Sequence, residues 1–182
     1  PVKVVKEKIL IAFYQNGEPI RPEQGYPLRL IISGWEGSTH VKWLKEIKFR
    51  KGPAYTRNET SRYTDLLSNG KTRQFSFVMD LKSVITKPTF GDRLKKDKVL
   101  ISGYAWSGSS NIEKVEISVN GGKSWQKTDI YSENISVVRF NYIFIWKGKE
   151  TIIQSRCIDK RQRIQPTREQ VLKKMGKNAT YH

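Results

Sequence analysis

The residues with the most chemical potential lie at positions 29–43. Gly34-Trp35-Glu36-Gly37-Ser38-Thr39 is a glycine-rich run, and His40-Val41-Lys42-Trp43 follows it directly. Glycine lets backbone N–H groups approach a ligand closely. Arg29, His40 and Lys42 add side-chain donors suited to a phosphate or an oxygen-rich ring. Plainer roles fit the same residues: His40 as a loop-end cap, Arg29 and Lys42 as ordinary surface charges. Composition alone leaves both readings open. Cys157, the single thiol, lies in a β-type run at 152–158 and alternates with Ile153 and Ser155. It therefore reads as a small packing residue. A nucleophilic role would call for a histidine, and the nearest in sequence is His182. Asn58, Asn134 and Asn178 open Asn-x-Ser/Thr sequons, which matter only in a glycosylating pathway that nothing here indicates. One cysteine excludes an internal disulfide and a cysteine-built zinc site, and His40 with His182 does not make a histidine-rich metal centre.

The elements that would position these residues follow from local pattern. Residues 4–14 read as the end of an amphipathic helix, stopped by Asn16-Gly17. Residues 18–27 are rich in Pro and Gly and read as loop. Residues 28–32 form a short apolar run that fits a buried strand. Residues 41–49 alternate, with Val41, Trp43, Ile47 and Phe49 on one side, and read as a strand. Residues 51–71 are polar and turn-rich, and 74–79 are apolar enough to lead into packed structure. Beyond position 80 the texture changes to short β-type runs at 99–105, 115–119, 124–130, 137–146 and 151–158. Asn120-Gly121-Gly122 between two of them signals a hairpin. Such spacing with no helices between predicts an antiparallel sandwich of about 100 residues. The tail at 165–182 reads as partly helical. A complete small sandwich preceded by about 80 residues with few elements suggests part of a larger protein.

Charge is the most conspicuous global property. The 182 residues carry 34 Lys and Arg against 17 Asp and Glu, for a net charge of +17. Such a balance raises nucleic acid or an anionic membrane as partners. Its distribution points elsewhere. The excess is spread along the chain, +6 over residues 1–80 and +11 over 81–182, and Lys outnumbers Arg 22 to 12. Lysine is the residue less suited to bidentate phosphate contact. No basic helix interleaves with aromatics, and neither an RNA-binding sheet motif nor zinc-finger spacing occurs. No apolar run approaches the roughly 18 residues needed to span a membrane. The expectation is a solvated basic surface, or one facing an acidic protein, with no nucleic-acid or membrane partner.

Several ordered motifs carry a family resemblance. Asn16-Gly17-Glu18-Pro19, Gln24-Gly25-Tyr26-Pro27-Leu28-Arg29, Gly34-Trp35 and His40-Val41-Lys42-Trp43-Leu44 resemble the end of the molybdopterin-binding domain of sulfite oxidase-family oxidoreductases. Ser83-Val84-Ile85-Thr86 with Pro88 resembles the junction to that family's C-terminal domain. Gly103-Tyr104-Ala105-Trp106-Ser107-Gly108, Val119-Asn120-Gly121-Gly122-Lys123-Ser124-Trp125 and Gln165-Pro166 resemble hallmarks of the domain itself, an immunoglobulin-like sandwich for dimerisation. Thr56-Arg57-Asn58-Glu59-Thr60-Ser61-Arg62-Tyr63-Thr64-Asp65-Leu66-Leu67 and Arg73-Gln74-Phe75-Ser76-Phe77-Val78-Met79 are most similar to the molybdenum subunits of Sox-type sulfane dehydrogenases. So is the ending Ala179-Thr180-Tyr181-His182.

The resemblance implies a mainly β chain, with the end of an α+β molybdopterin-binding domain at 1–80 and the dimerisation sandwich at 81–182. It implies that Gln24, Arg29, His40, Val41 and Lys42 contribute to a molybdenum–molybdopterin site. Gln24 departs from the histidine common in sulfite oxidases; it can hydrogen-bond but cannot become cationic. The molybdenum-ligating cysteine and the catalytic residues are implied to lie upstream, so Cys157 is not that ligand and no catalytic residue is assigned. An arginine that reaches the anion pocket near the C-terminus of sulfite oxidases has no match around Tyr181 and His182. The implied activity, for the full-length protein, is oxidation of protein-carried sulfane sulfur or of sulfite, with electrons passed to a c-type cytochrome subunit in the periplasm. The sandwich is implied to self-associate. The alternative is a non-catalytic dimerisation or assembly module, and this chain alone is expected to be inactive.

Overall fold

A computed structural model of the chain describes residues 3, 7–61, 64–74, 77–131 and 137–175. Asn134, Asn178 and His182, like parts of the motifs quoted above, lie outside the described residues. The chain divides into two compact units, one built from the described residues up to 78 and those from 166 onward, the other from residues 79–165.

In the first unit, β1 (Ile9–Ala12) pairs antiparallel with β4 (Arg29–Ile32), Ile9 opposite Ile32 and Ala12 opposite Arg29. The helix read over 4–14 is thus corrected from Ile9 onward. An apolar run of that length satisfies either period, and the partner strand some twenty residues away decides it. Asn16-Gly17 is a hairpin turn rather than a helix stop. Asn16 at φ +54° and Gly17 at φ +82° join β2 (Tyr14–Gln15) to β3 (Glu18–Pro19). Two consecutive positive φ values match the right-handed twist of the flanking strands. Leu30 and Ile32 of β4 are buried, as is Ile20. The strand read over 41–49 does not form. Leu30 and Val41 exchange both backbone hydrogen bonds, at 2.9 and 3.1 Å; Trp43 then takes φ +50°, which shifts the register, and a last bond runs from the Leu44 amide to the Leu28 carbonyl at 2.9 Å. An L-residue there turns the chain out of the extended region, and Trp43, Ile47 and Phe49 are exposed. The unit also holds α1 (Arg57–Ser61), the pair β5 (Thr64–Leu66) and β6 (Thr72–Gln74), and α2 (Arg168–Met175).

The second unit is a two-layer β-sandwich. Four strands, β7 (Lys82–Lys87), β8 (Asp97–Trp106), β11 (Asp129–Tyr131) and β12 (Val137–Trp146), form a sheet in the order β11-β12-β8-β7. Three more, β9 (Ile112–Ser118), β10 (Gln126–Lys127) and β13 (Gln154–Asp159), form the other in the order β10-β9-β13. All pairings are antiparallel. Seven short strands in sheets of four and three make the immunoglobulin-like sandwich expected of the C-terminal half. The hairpin signal falls where expected: Gly121 (φ +68°) and Gly122 (φ +87°) turn the chain from β9 to β10. Strand β7, whose Ser83-Val84-Ile85-Thr86 reads only as a junction, is a full edge strand. Inward-facing Ile101, Ala105, Val115, Ile117, Val138, Phe140 and Cys157 pack into one core. Burying a side chain such as Phe140 stabilises the unit by about 1.5–3 kcal/mol. Asp159, fully buried, ties the end of β13: its carboxylate accepts from the backbone N–H of Arg161 and Arg163 and from Arg163 Nε at 2.9 Å.

Candidate cofactor-binding turn

The five residues implied to hold a cofactor all fall in the first unit, around one short turn and one strand. Pro22–Gln24 is a single 3-10 turn with Pro at its start, where a missing N–H costs nothing. Gly25 ends it at φ +111°, and a Cβ there would meet Cα and Cβ of Lys42 at 3.0 Å. A side chain is thus excluded both by backbone conformation and by space. Close approach of the two segments is what brings their chemistry together.

Arg29 opens β4 and reaches back across the turn. Its Nη1 donates to Gln24 Oε1 at 3.3 Å and to the Gln24 carbonyl at 3.4 Å. Lys42 Nζ donates to the carbonyl of Glu23 at 2.6 Å. Trp43 Nε1 donates to the carbonyl of Pro22 at 3.0 Å, and the Trp43 amide bonds the Gly25 carbonyl at 3.3 Å. Three successive carbonyls of the turn therefore receive donors from residues at 29, 42 and 43. Val41 contributes through its backbone, which pins this segment to Leu30. His40 stands apart from the cationic pair. Its Nε2 lies 3.1 Å from the Ile32 carbonyl at the far end of β4, and its amide closes the 3-10 turn Gly37–Thr39. In this structure it anchors the loop.

Electrostatics favour an anion at this turn. Among the described residues neither Arg29 nor Lys42 forms an ion pair with a carboxylate. Arg29 Nε is buried with no hydrogen-bond partner. A buried N–H left unpaired costs about 1–3 kcal/mol, so a ligand acceptor supplied there would be repaid in affinity. Hydrogen bonds to charged donors are also the stronger class. These residues fit an anionic, oxygen-bearing cofactor. The glycine-rich loop fits it less directly, because several of its amides are already used. Those of Trp35, Glu36 and Thr39 bond the carbonyls of Ile32, Phe77 and Glu36. Glu23, Gly25 and Trp43 are the neighbours of these residues to which the sequence reading gave no site role. Their signal was the Pro-x-x-Gly turn, whose meaning depends on a segment nearly twenty residues away.

Cys157 is removed from any redox or ligand role by its surroundings. Burial pushes its thiol up to about 12, with the nearby Asp159 charge adding to the effect. Its Sγ lies 3.4 Å from Gln165 Oε1, which also accepts from the Cys157 amide and from Ser83 Oγ. A thiol so held is a packed donor, not a thiolate.

Comparison with known proteins gives the family of the chain. Residues 1–57 match the family model described as the oxidoreductase molybdopterin binding domain. Residues 73–182 match the Mo-co oxidoreductase dimerisation domain. The mitochondrial sulfite oxidase of Rattus norvegicus is 29% identical over 134 residues, which is 69% of this chain and 24% of that protein. Inducible nitrate reductase [NADH] 1 of Glycine max is 34% identical over 137 residues, 65% of this chain and 16% of that protein. Among solved structures, the sulfane dehydrogenase SoxCD from Paracoccus pantotrophus superposes with a TM-score of 0.91 at 39% identity, covering 97% of this chain and 46% of that one. The chain thus spans about a quarter or less of the curated relatives cited and under half of the solved chain. The family's cofactor is molybdenum–molybdopterin, and its C-terminal domain serves self-association. On the motifs, the sandwich and both domain matches, this chain belongs to the sulfite oxidase family of molybdopterin oxidoreductases.

Proposed function

We propose that Arg29 and Lys42, with Gln24, Val41 and His40, form one wall of a molybdenum–molybdopterin site in a dehydrogenase of sulfur compounds. The observation that carries this is the pair of uncompensated cations meeting at the Pro22–Gln24 turn, one of them with a buried, unpaired N–H. When bound, the cofactor supplies the two-electron redox chemistry, and the protein grips and orients it. Arg29 and Lys42 neutralise and hold its anionic part. Gln24 fixes the plane of the Arg29 guanidinium without adding charge. Val41 and His40 hold the 40–42 segment against β4, so that the donors stay in place.

Sulfane sulfur is the substrate favoured by the likeness to a solved sulfane dehydrogenase over almost the whole chain, and sulfite is the sister substrate. A c-type cytochrome subunit as electron acceptor, and the periplasm as location, accompany that reading. No catalytic residue is placed in residues 1–182. Elemental analysis of the whole protein, purified from a molybdenum-replete host, should find molybdenum in stoichiometric amount. The same protein should reduce a c-type cytochrome when given a sulfane or sulfite donor. Metal-free protein would sink this reading. The second reading, an assembly module without catalysis, draws on the extent of the dimerisation-domain match at residues 73–182. Self-association in a protein that never takes up molybdenum would establish it instead.

A further inference from the structure

The connection from β7 to β8 concentrates positive charge. Lys87, Arg93, Lys95, Lys96 and Lys98 all line one hollow of about 550 Å³ at that end of the sandwich. The turn from β12 to β13 closes on the same place. A Cβ at Gly148 (φ +79°) would run into the Lys96 side chain. The turn therefore passes close to Lys96, and Lys147 and Lys149, on either side of Gly148, add two more cations. Among the described residues none of these seven cations pairs with a carboxylate. Residues 87–98 and 147–150 hold seven basic residues against the acidic Asp92, Asp97 and Glu150, a net +4. Sixteen residues of 182 thus carry nearly a quarter of the net charge of +17.

Local bonds hold both segments in place. Asp92 is used in closing its own turn: its Oδ2 accepts from the Thr89 amide at 2.7 Å, and its amide donates to the Thr89 carbonyl at 3.2 Å. Trp146 Nε1 and Thr151 Oγ1 both donate to the Lys149 carbonyl at 2.8 Å. Like charges fixed around a concavity repel one another and focus their field into it. An anion placed there relieves the repulsion. Phe90 of the same connection is fully exposed, and Leu94 is partly exposed. An exposed aromatic side chain among polar neighbours is the composition of a protein contact.

We propose that this hollow docks a carboxylate-rich segment of a partner protein, with Phe90 as the apolar anchor beside it. Charge excludes a second copy of the chain, since two bodies of +17 repel. Six of the seven cations are lysines, compact and strongly hydrated charges that suit scattered carboxylates. They lack the planar fork that matches phosphate, which turns the site away from nucleic acid. A bilayer surface is flat, whereas this site is concave. Charges of this exposed kind act mainly on the rate of encounter, so the docking is steered and sensitive to salt. It does not depend on what the Pro22–Gln24 turn holds.

Fluorescence anisotropy tests it, with the full chain and two labelled peptides of equal charge. One carries glutamate alone; the other has leucines interspersed. Both should bind at low salt and be released as ionic strength rises from about 0.01 to 0.15 M, where the Debye length falls from roughly 30 to 8 Å. The leucine-bearing peptide should bind more tightly, and Phe90→Ser should remove that advantage alone. Arg93→Glu with Lys95→Glu should weaken both peptides about tenfold or more. Lys147→Glu with Lys149→Glu should do the same from the other segment, so damage to one loop does not account for the loss. Lys123→Glu with Lys127→Glu lowers the net charge equally, around the β9–β10 turn, and should leave binding near wild type. Circular dichroism checks that each variant folds. No binding at low salt, or equal loss in all three paired variants, overturns the site. Displacement of both peptides alike by inorganic pyrophosphate, or tighter binding to phosphatidylserine vesicles or duplex DNA, overturns the acidic protein as its partner.

Discussion

Arg29 and Gln24 stand five residues apart and touch across the turn between them, Nη1 lying 3.3 Å from Oε1 and 3.4 Å from the backbone carbonyl. Gln24 can accept but carries no charge, so it orients Arg29 while leaving its positive charge undiminished. Lys42, bonded to the carbonyl next to it, adds a second cation with no carboxylate opposite.

Cofactor occupancy should depend on both cations. Arg29→Ala or Lys42→Ala in the full-length protein should cost about 1.5–3 kcal/mol of cofactor binding, roughly 10- to 150-fold in affinity. Pterin released on denaturation and quantified by fluorescence measures this, with thermal unfolding as a check that the turn still folds. Unchanged pterin content in both variants would remove these residues from the site.

Gly103 is a second sensitive position, for packing rather than binding. A Cβ there would lie 2.0 Å from the Val84 carbonyl oxygen and 2.6 Å from Cζ of Phe140. Neither a strand backbone nor a fully buried ring gives way cheaply. Gly103→Ala should destabilise the sandwich by about 3 kcal/mol, the upper range of overpacking. Urea unfolding followed by tryptophan fluorescence reads the loss directly, and a midpoint within error of wild type would contradict the packing described here.

Stability should fall in acid through Asp159. Burial pushes its carboxyl up, but hydrogen bonds from Arg163 and the backbone, with the Arg163 charge, outweigh this and hold it below the usual value. A lowered folded value means that its contribution is present above the unfolded value of about 3.9. That contribution is lost as pH falls through the folded value. Asp159→Asn should cost about 2–3 kcal/mol at neutral pH and flatten the acid limb of the stability profile. An acid limb of the same slope in the variant would show that other carboxyls govern it.

Cys157 should behave as an inert thiol. Its folded value near 12 lies above the ordinary value, so its contribution is complete below about pH 8.5 and declines as pH rises towards 12. Iodoacetamide at pH 8 should leave the native protein unlabelled and react once denaturant exposes the thiol. Rapid native labelling would mean that the core around it opens.

Much of this molecule was legible in its residues, for local reasons. The strands at 97–106, 112–118 and 137–146 announce themselves by β-branched and aromatic runs. Asn120-Gly121-Gly122 supplies the positive φ values that a hairpin requires, and the ordered motifs from Asn16 to Gln165 carry the family. The donor types at Arg29, His40 and Lys42 are likewise visible in the chain. Long-range pairing decided the rest. Residues 9–12 became a strand because β4 offers them partners, and 41–49 did not because Trp43 leaves the extended region and interrupts the pairing between the exchange with Leu30 and the single Leu44–Leu28 bond. No local pattern could place Lys42 against Glu23, since that contact closes across 19 residues of chain and depends on the missing side chain of Gly25. Composition names the donors and the strands; only tertiary contact, which sets burial and pairing, turns two neighbouring carbonyls of one turn into an anchor for two cations.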